Sequence, residues 1–118
     1  MEQLNKVELT GSVGSVRVQN IGDKVSVHFS LVTNVIYRNP EGEAVCETTW
    51  HNVRKLTEKD DPLILKLSKG ANAHVLGRLK NYRYTGIDGS DRTGTEVVAS
   101  SVRVIEDADA KPQDLNSQ

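Results

Sequence analysis

The 118-residue sequence predicts an all-β domain, a five-stranded barrel with one short helix, on three observations. Fifteen valines fall largely in stretches that alternate apolar and polar residues, the period of a half-buried strand. Breaks containing glycine, asparagine or proline divide those stretches into five. One segment, "DDPLILKLSKG" (60–70), abandons the two-residue period and carries helix punctuation instead. The length suits one compact domain and is too short for two of ordinary size.

The first strand is "VELTGSVGSVRV" (7–18), with Gly11 and Gly14 as candidate bulge or bend positions. A turn at "NIGDK" (20–24) leads into "VSVHFSLVTNVIY" (25–37). Alternation there puts Val25, Val27, Phe29 and Leu31 on one face and Ser26, His28 and Ser30 on the other, so the first two strands read as a ribbon. After the loop "RNPEGE" (38–43), "AVCETTWHNVRKL" (44–56) is the third strand. In 60–70, acidic residues stand where an N-cap belongs, Pro62 suits a first helical turn, and Gly70 lies just past the end. "AHVLGRLKNYRYT" (73–85) and "TGTEVVASSVRVIE" (93–106) complete the set, joined by the hairpin tip "GIDGSDR" (86–92). Five antiparallel strands with a helix between the third and fourth fit a Greek-key barrel of the oligonucleotide/oligosaccharide-binding (OB) kind. Another five-stranded connectivity fits the pattern nearly as well. The domain is expected over 1–106. Residues 107–118 are nearly devoid of apolar side chains and are expected to form a disordered acidic tail.

The charge balance is uneven. From Glu106 onward four carboxylates face Lys111 alone, a net of −3, so of the chain's formal −1 the first 105 residues carry +2. A strongly basic nucleic-acid protein is thereby excluded, but a mildly basic body remains. Cys46 is the only cysteine, so no intrachain disulfide can form and nothing points to an oxidising compartment. No apolar run approaches the roughly 20 residues that cross a bilayer, and "MEQLNKVEL" lacks a signal-peptide core, so no membrane partner and a cytoplasmic location are expected.

Catalytic and metal chemistry find little support. His28, His51 and His74 are widely spaced and Cys46 has no second thiol near it, so no metal is expected. Cys46 and His51, five apart in one strand, project to opposite faces, which disfavours a thiol nucleophile. No glycine cluster matches a phosphate loop or a dinucleotide fingerprint, and no cofactor is expected.

The five aromatic residues are more informative. Trp50 shares its strand face with Thr48, Asn52 and Arg54. A core tryptophan more often has apolar residues two positions away, so this pattern favours an exposed stacking platform over core filler. Arg78, Lys80, Tyr82 and Tyr84 form one row on a later strand, opposite in sense to Leu79. Cations there can meet phosphates while rings stack on bases, or the tyrosines can simply cover lysine stems on a solvated edge. Tyr37 beside Arg38 repeats the aromatic and cation pairing.

In "NKVELTG" (5–11), "TTWHNV" (48–53), "KGANAHVLGRLKNYRYT" (69–85) and "TEVVA" (95–99), the chain resembles the bacterial-type single-stranded DNA-binding proteins over about residues 4–105. These are homo-oligomeric OB barrels. The resemblance implies a non-catalytic protein that coats and protects single strands in replication, recombination and repair, in the nucleoid, as a homo-oligomer and most simply a tetramer. It puts Trp50 on the family's stacking tryptophan and Tyr37 and Tyr84 on two further stacking positions, with Tyr82 beside them. It puts His51 on a histidine that helps join dimers. Lys6, Arg17, Lys69, Lys80, Arg83 and Arg92 fall at or near cationic positions of the family, and Arg38, Arg54 and Arg78 extend that set. Two departures stand out. A position usually occupied by Phe is Leu56, and the family's long tail with its acidic Pro-Phe tip has no counterpart in "AKPQDLNSQ". Partnership with replication and repair proteins is therefore expected to be curtailed, as in an accessory or mobile-element copy or a shortened chain. A primosome-type accessory barrel that uses the same face mainly for protein partners is the alternative. An RNA-binding barrel of the cold-shock kind is disfavoured by the lack of Phe-rich motifs.

Overall fold

A computed structural model describes residues 1–105. The tail expected over 107–118 lies outside the described residues. The elements are β1 (Val7–Ile21), β2 (Lys24–Arg38), β3 (Ala44–Glu58), α1 (Leu63–Lys66), β4 (Asn72–Thr85) and β5 (Asp91–Ile105). The strands close into a barrel in the order β1-β2-β3-β5-β4, with β4 returning to β1, which is the expected OB arrangement.

One expectation is corrected. β3 and β5 run parallel where they meet, through Val53↔Val97 and Arg54↔Val98, whereas every other contact is antiparallel. The reason is arithmetic: a closed ring with an odd number of strands cannot reverse direction at every contact, so one seam must be parallel.

The core is built largely as the alternation predicts. Val25, Val27, Phe29 and Leu31 of β2 are buried with Val13, Val53, Ala73, Val75, Val97 and Ala99 from the other strands. Ser26, on the opposite face, is also buried, and its hydroxyl meets His28 Nε2 at 3.1 Å. β1 and β2 run longer than predicted because Gly22 (φ +62) and Asp23 turn the chain in two residues, with Ile21 already paired to Lys24. At the β4–β5 tip, strand pairing resumes at Asp91, one residue after Ser90 accepts the Gly86 N–H at 2.8 Å.

The helix is a single turn, much shorter than 60–70. Asp61 starts it: one carboxylate oxygen accepts the Leu63 N–H at 2.9 Å and the other accepts the Thr57 hydroxyl. The Thr57 bond and then the Leu63 bond hold the Asp61 carboxyl below its usual pKa. The helix ends because Leu67 turns extended (φ −77°, ψ 111°), which brings both Leu63 and Leu67 into the core cluster. Gly70 (φ +92) then returns the chain to β1 through its N–H to the Val13 carbonyl at 2.8 Å.

The two glycines flagged in β1 have different uses. The register shift lies between Val13 and Val16, at Gly14 and Ser15. Gly11 is instead a close approach, since a Cβ there would stand 2.1 Å from the Val32 carbonyl oxygen.

The placement of α1 predicts a contrast between neighbouring leucines. Leu67→Ala empties a core site and should cost about 2–5 kcal/mol in denaturant unfolding. Leu65→Ala, at a side chain that is 87% exposed, should stay within about 0.5 kcal/mol. Equal losses would mean that the one-turn helix does not seat Leu67 in the core.

Candidate nucleic-acid interface

Strand register decides which side chains share a face, because directly opposed residues project to the same side. Across β2 and β3 the pairs are His28↔Arg54, Ser30↔Asn52 and Val32↔Trp50, and across β1 and β2 Arg17 opposes His28. Across β4 and β5, Lys80 opposes Glu96, Tyr82 opposes Gly94 and Tyr84 opposes Arg92. The parallel seam sets Arg54 beside Val98, on the Glu96 side of β5. One outer surface therefore gathers side chains from all five strands. At its centre lies an open groove of about 510 Å³, lined by Arg17, His28, Asn52, Arg54, Tyr82 and Glu96 among others, within the size range of ligand pockets.

Trp50 stands beside this groove and is 62% exposed. Its ring lies against Gly14, where a Cβ would come 2.8 Å from Cζ3, so the bulge glycine leaves the space that the indole occupies. Tyr82 is seated in the same manner. Its ring lies over its ladder partner Gly94, where a Cβ would come 2.5 Å from Cζ, and its centroid is 5.9 Å from that of Tyr84 at an interplanar angle of 36°. Leu56 continues the Trp50 face, two positions beyond Arg54, and is half-exposed.

Tyr37 is not on this face. The β2–β3 register runs without a shift and pairs Tyr37 with Val45, an odd number of residues from the Val32↔Trp50 pair, so Tyr37 projects to the far side of the ribbon. His51 projects to that side too, half-buried, with Nε2 2.9 Å from the Thr33 hydroxyl. Cys46 lies on the Trp50 face, so no thiol and imidazole pair forms.

The cations fall into two groups. Arg54 is tied by Nε to Glu96 at 3.1 Å, and both side chains are largely buried. Arg92 is 3.4 Å from Asp88 and also donates to the Ser90 hydroxyl. Arg38 donates to the Gly42 carbonyl at 2.6 Å and closes the β2–β3 turn. Arg83, on the face opposite Tyr82, makes a 3.7 Å pair with Asp91 in full solvent, a contact of small energetic value. Lys6, Arg17, Lys69, Arg78 and Lys80 make no ion pair among the described residues. Lys6 and Lys69 stand outside the ladder rows, in the segments entering β1 and following α1. Lys6 is held near β4 because the Asn5 side chain bonds both the N–H and the carbonyl of Leu79, each at 2.9 Å.

Two ionisable groove residues, Glu96 and His28, are not among the site residues expected from sequence. Glu96 is the carboxylate that partners Arg54. His28 lies between Arg17 and Arg54, and burial, then Arg17 and Arg54, push its pKa below the ordinary 6.5. The only sequence signal for His28 was its place on the polar side of "VSVHFSLV". Its cationic neighbours are distant in the chain and meet only through the register.

The family model described as "Single-strand binding protein family" matches residues 4–105. The chain belongs to that family. A "Single-stranded DNA-binding protein" from Neisseria meningitidis is 34% identical over 108 residues, covering 86% of this chain and 60% of the relative. One from Xylella fastidiosa is 27% identical over 105 residues, with 86% and 63% coverage. The chain thus spans about three fifths of the length of these curated relatives. Among solved structures, a Plasmodium falciparum SSB complex with ssDNA superposes with a TM-score of 0.76 at 26% identity, covering 90% of this chain and 98% of the other. The single-stranded DNA binding protein from Thermus aquaticus, in a deletion mutant, shares the fold at a TM-score of 0.72 and 22% identity, covering 87% of this chain and 51% of the other. The matched residues 4–105 include all four segments that carry the sequence resemblance.

The seating of Trp50 has a direct consequence for stability. Trp50→Ala removes a largely exposed ring and should shift unfolding far less than the roughly 3–5 kcal/mol of a buried tryptophan. Gly14→Ala should displace the ring and change the Trp50 emission maximum. A cooperative loss of fold in Trp50→Ala would make the ring a core element.

Proposed function

We propose that this chain binds single-stranded DNA without sequence preference, coating and protecting exposed strands during replication, recombination and repair. The observation that carries the proposal is the exposed Trp50 ring, seated on Gly14 at the border of a groove that also holds Arg17, Arg54 and Tyr82. A flat ring beside cations offers stacking to bases and charge to phosphates, and neither depends on base identity. Support comes from the relatives named as single-stranded DNA-binding proteins and from the similar Plasmodium falciparum structure, which is a complex with ssDNA. The role is one of binding, with no catalytic step.

On this reading Trp50, Tyr82 and Tyr84 stack on successive bases. Tyr37 serves a strand that passes round to the far side of the β2–β3 ribbon. Lys6, Arg17, Lys69, Arg78 and Lys80 meet phosphates first. Arg38, Arg54, Arg83 and Arg92 already have a partner, and each offers a phosphate the guanidinium N–H donors that this partner leaves over. Since one OB barrel covers roughly 4–16 nucleotides, several copies would combine their paths. We place His51 at a subunit contact of a homotetramer that works in the cytoplasm, with the nucleoid.

Oligo(dT) titration followed by Trp50 fluorescence tests the reading. Stacking is worth roughly 1–3 kcal/mol per base, so Trp50→Ala should weaken binding about tenfold or more while Trp50→Phe keeps much of the affinity. Emission that ignores saturating oligo(dT) would overturn the proposal. Lys80→Ala should reduce the slope of log K against log[salt] by about 0.7, the share of one single-strand phosphate contact. An unchanged slope would remove Lys80 from the path. Light scattering at micromolar concentration should give a tetramer, and a monomer would count against the combined path.

A further inference from the structure

Arg17, His28 and Arg54 form a straight row across the outer sheet, one from each of β1, β2 and β3, as direct ladder partners. All three line the central groove. A protonated His28 would stand directly opposite a cation on either side, so its charged form is costly unless something negative lies over the row. Within the protein the compensation is partial. From β5, Glu96 bonds Arg54 at 3.1 Å. From β4, Tyr82 presents an uncharged ring. On β2 itself, the Ser26 hydroxyl meets His28 Nε2, and among the described residues His28 Nδ1 has no hydrogen-bond partner.

We infer that a phosphodiester of the bound strand sits over this row and that His28 takes up a proton as it arrives. The inference rests on the single-strand reading above. In the free protein, burial and the flanking arginines keep His28 neutral at ordinary pH. A phosphate close to the ring reverses that field. The protonated imidazole then donates from Nε2 to the Ser26 oxygen and from Nδ1 to the phosphate, a charge-assisted bond that the neutral ring need not make. Arg17 supplies the nearest charge without a carboxylate partner, so the phosphate is received by a pair of cations in addition to the Arg54–Glu96 unit.

The sign of the coupling follows. Binding consumes a proton, so affinity rises as pH falls through the bound-state pKa of His28 and stops rising below the free-state value. One proton gives at most about tenfold per pH unit.

Oligo(dT) binding measured by Trp50 quenching at constant salt, from about pH 8 to about pH 6, spans the range in which a histidine titrates. Wild type should gain affinity several-fold across that range. His28→Gln, which keeps a polar group near Ser26 but cannot titrate, should be nearly flat, while His51 and His74 are common to both proteins. On the wild-type protein itself, the NMR titration of the His28 ring should move to higher pH when oligo(dT) is bound. A His28→Gln profile that parallels wild type, or a His28 titration that ignores bound oligo(dT) while Trp50 still responds, would overturn the inference and leave strand binding intact. Failure of Trp50 to respond at any pH would overturn the strand-binding reading and this inference with it.

Discussion

Each strand of this barrel is longer than the core it encloses, and the exposed ribbons that carry Trp50 and Tyr84 exist because of that surplus. The five strands run 14 or 15 residues, which at roughly 3.3 Å per residue is close to 50 Å. Burial occupies only part of each: 25–31 in β2, 73–75 in β4 and 97–99 in β5 hold the buried apolar positions. The remaining lengths of β2 with β3, and of β4 with β5, leave the barrel as paired ribbons with both faces exposed. Their backbone groups are satisfied by each other, so they need no apolar cover, and aromatic side chains can stand in solvent there at little cost to the fold. Trp50 and Tyr84 lie on these ribbons, and Tyr82 lies at the foot of one, where it borders the groove.

Ring placement on such ribbons is a matter of what lies beneath. A large ring on an open strand samples several rotamers, and its platform is only as defined as its support. Gly14 and Gly94 supply support by absence: a Cβ at either would occupy the space now held by Trp50 or Tyr82. Gly14 lies within the β1 bulge, so the irregularity that bends β1 into the barrel also clears the seat for the indole. Closure of the barrel and preparation of the surface therefore share a residue.

This sharing explains which parts were legible from sequence. The alternation in β2 is local, and Val25, Val27, Phe29 and Leu31 lie inside as it requires. The polar neighbours of Trp50 are also local, and its exposure follows from them. Features that depend on register were not legible. Arg54 and Glu96 are 42 residues apart and meet only because the strand order of the closed barrel sets β3 beside β5. Tyr37 and Trp50 lie on different strands, and whether they share a face is set by the length of the intervening turn, where Asn39 and Glu43 lock the chain. The helix was overestimated because "PLILKL" has acceptable helical spacing, while the pull of Leu67 into the core, which ends the helix after one turn, is a tertiary effect.

The charge arrangement is the less obvious part of the design. With +2 on residues 1–105, the body lacks the basic excess that would hold a polyanion by net charge alone. Several of its arginines already have partners: Arg54 has Glu96, Arg92 has Asp88 and Arg83 has Asp91. On the single-strand reading proposed above, a surface of this kind holds a phosphate chain partly by exchange, in which a carboxylate gives up its cation to a phosphate and returns to solvent. Exposed pairs such as Arg83–Asp91 exchange at almost no cost, whereas the largely buried Arg54–Glu96 pair does not, since freeing Glu96 leaves a carboxylate in a half-buried groove. The central groove is therefore the part of the surface where added positive charge has the greatest effect, and His28, the one histidine lining it, is the residue there that can gain such a charge by taking up a proton.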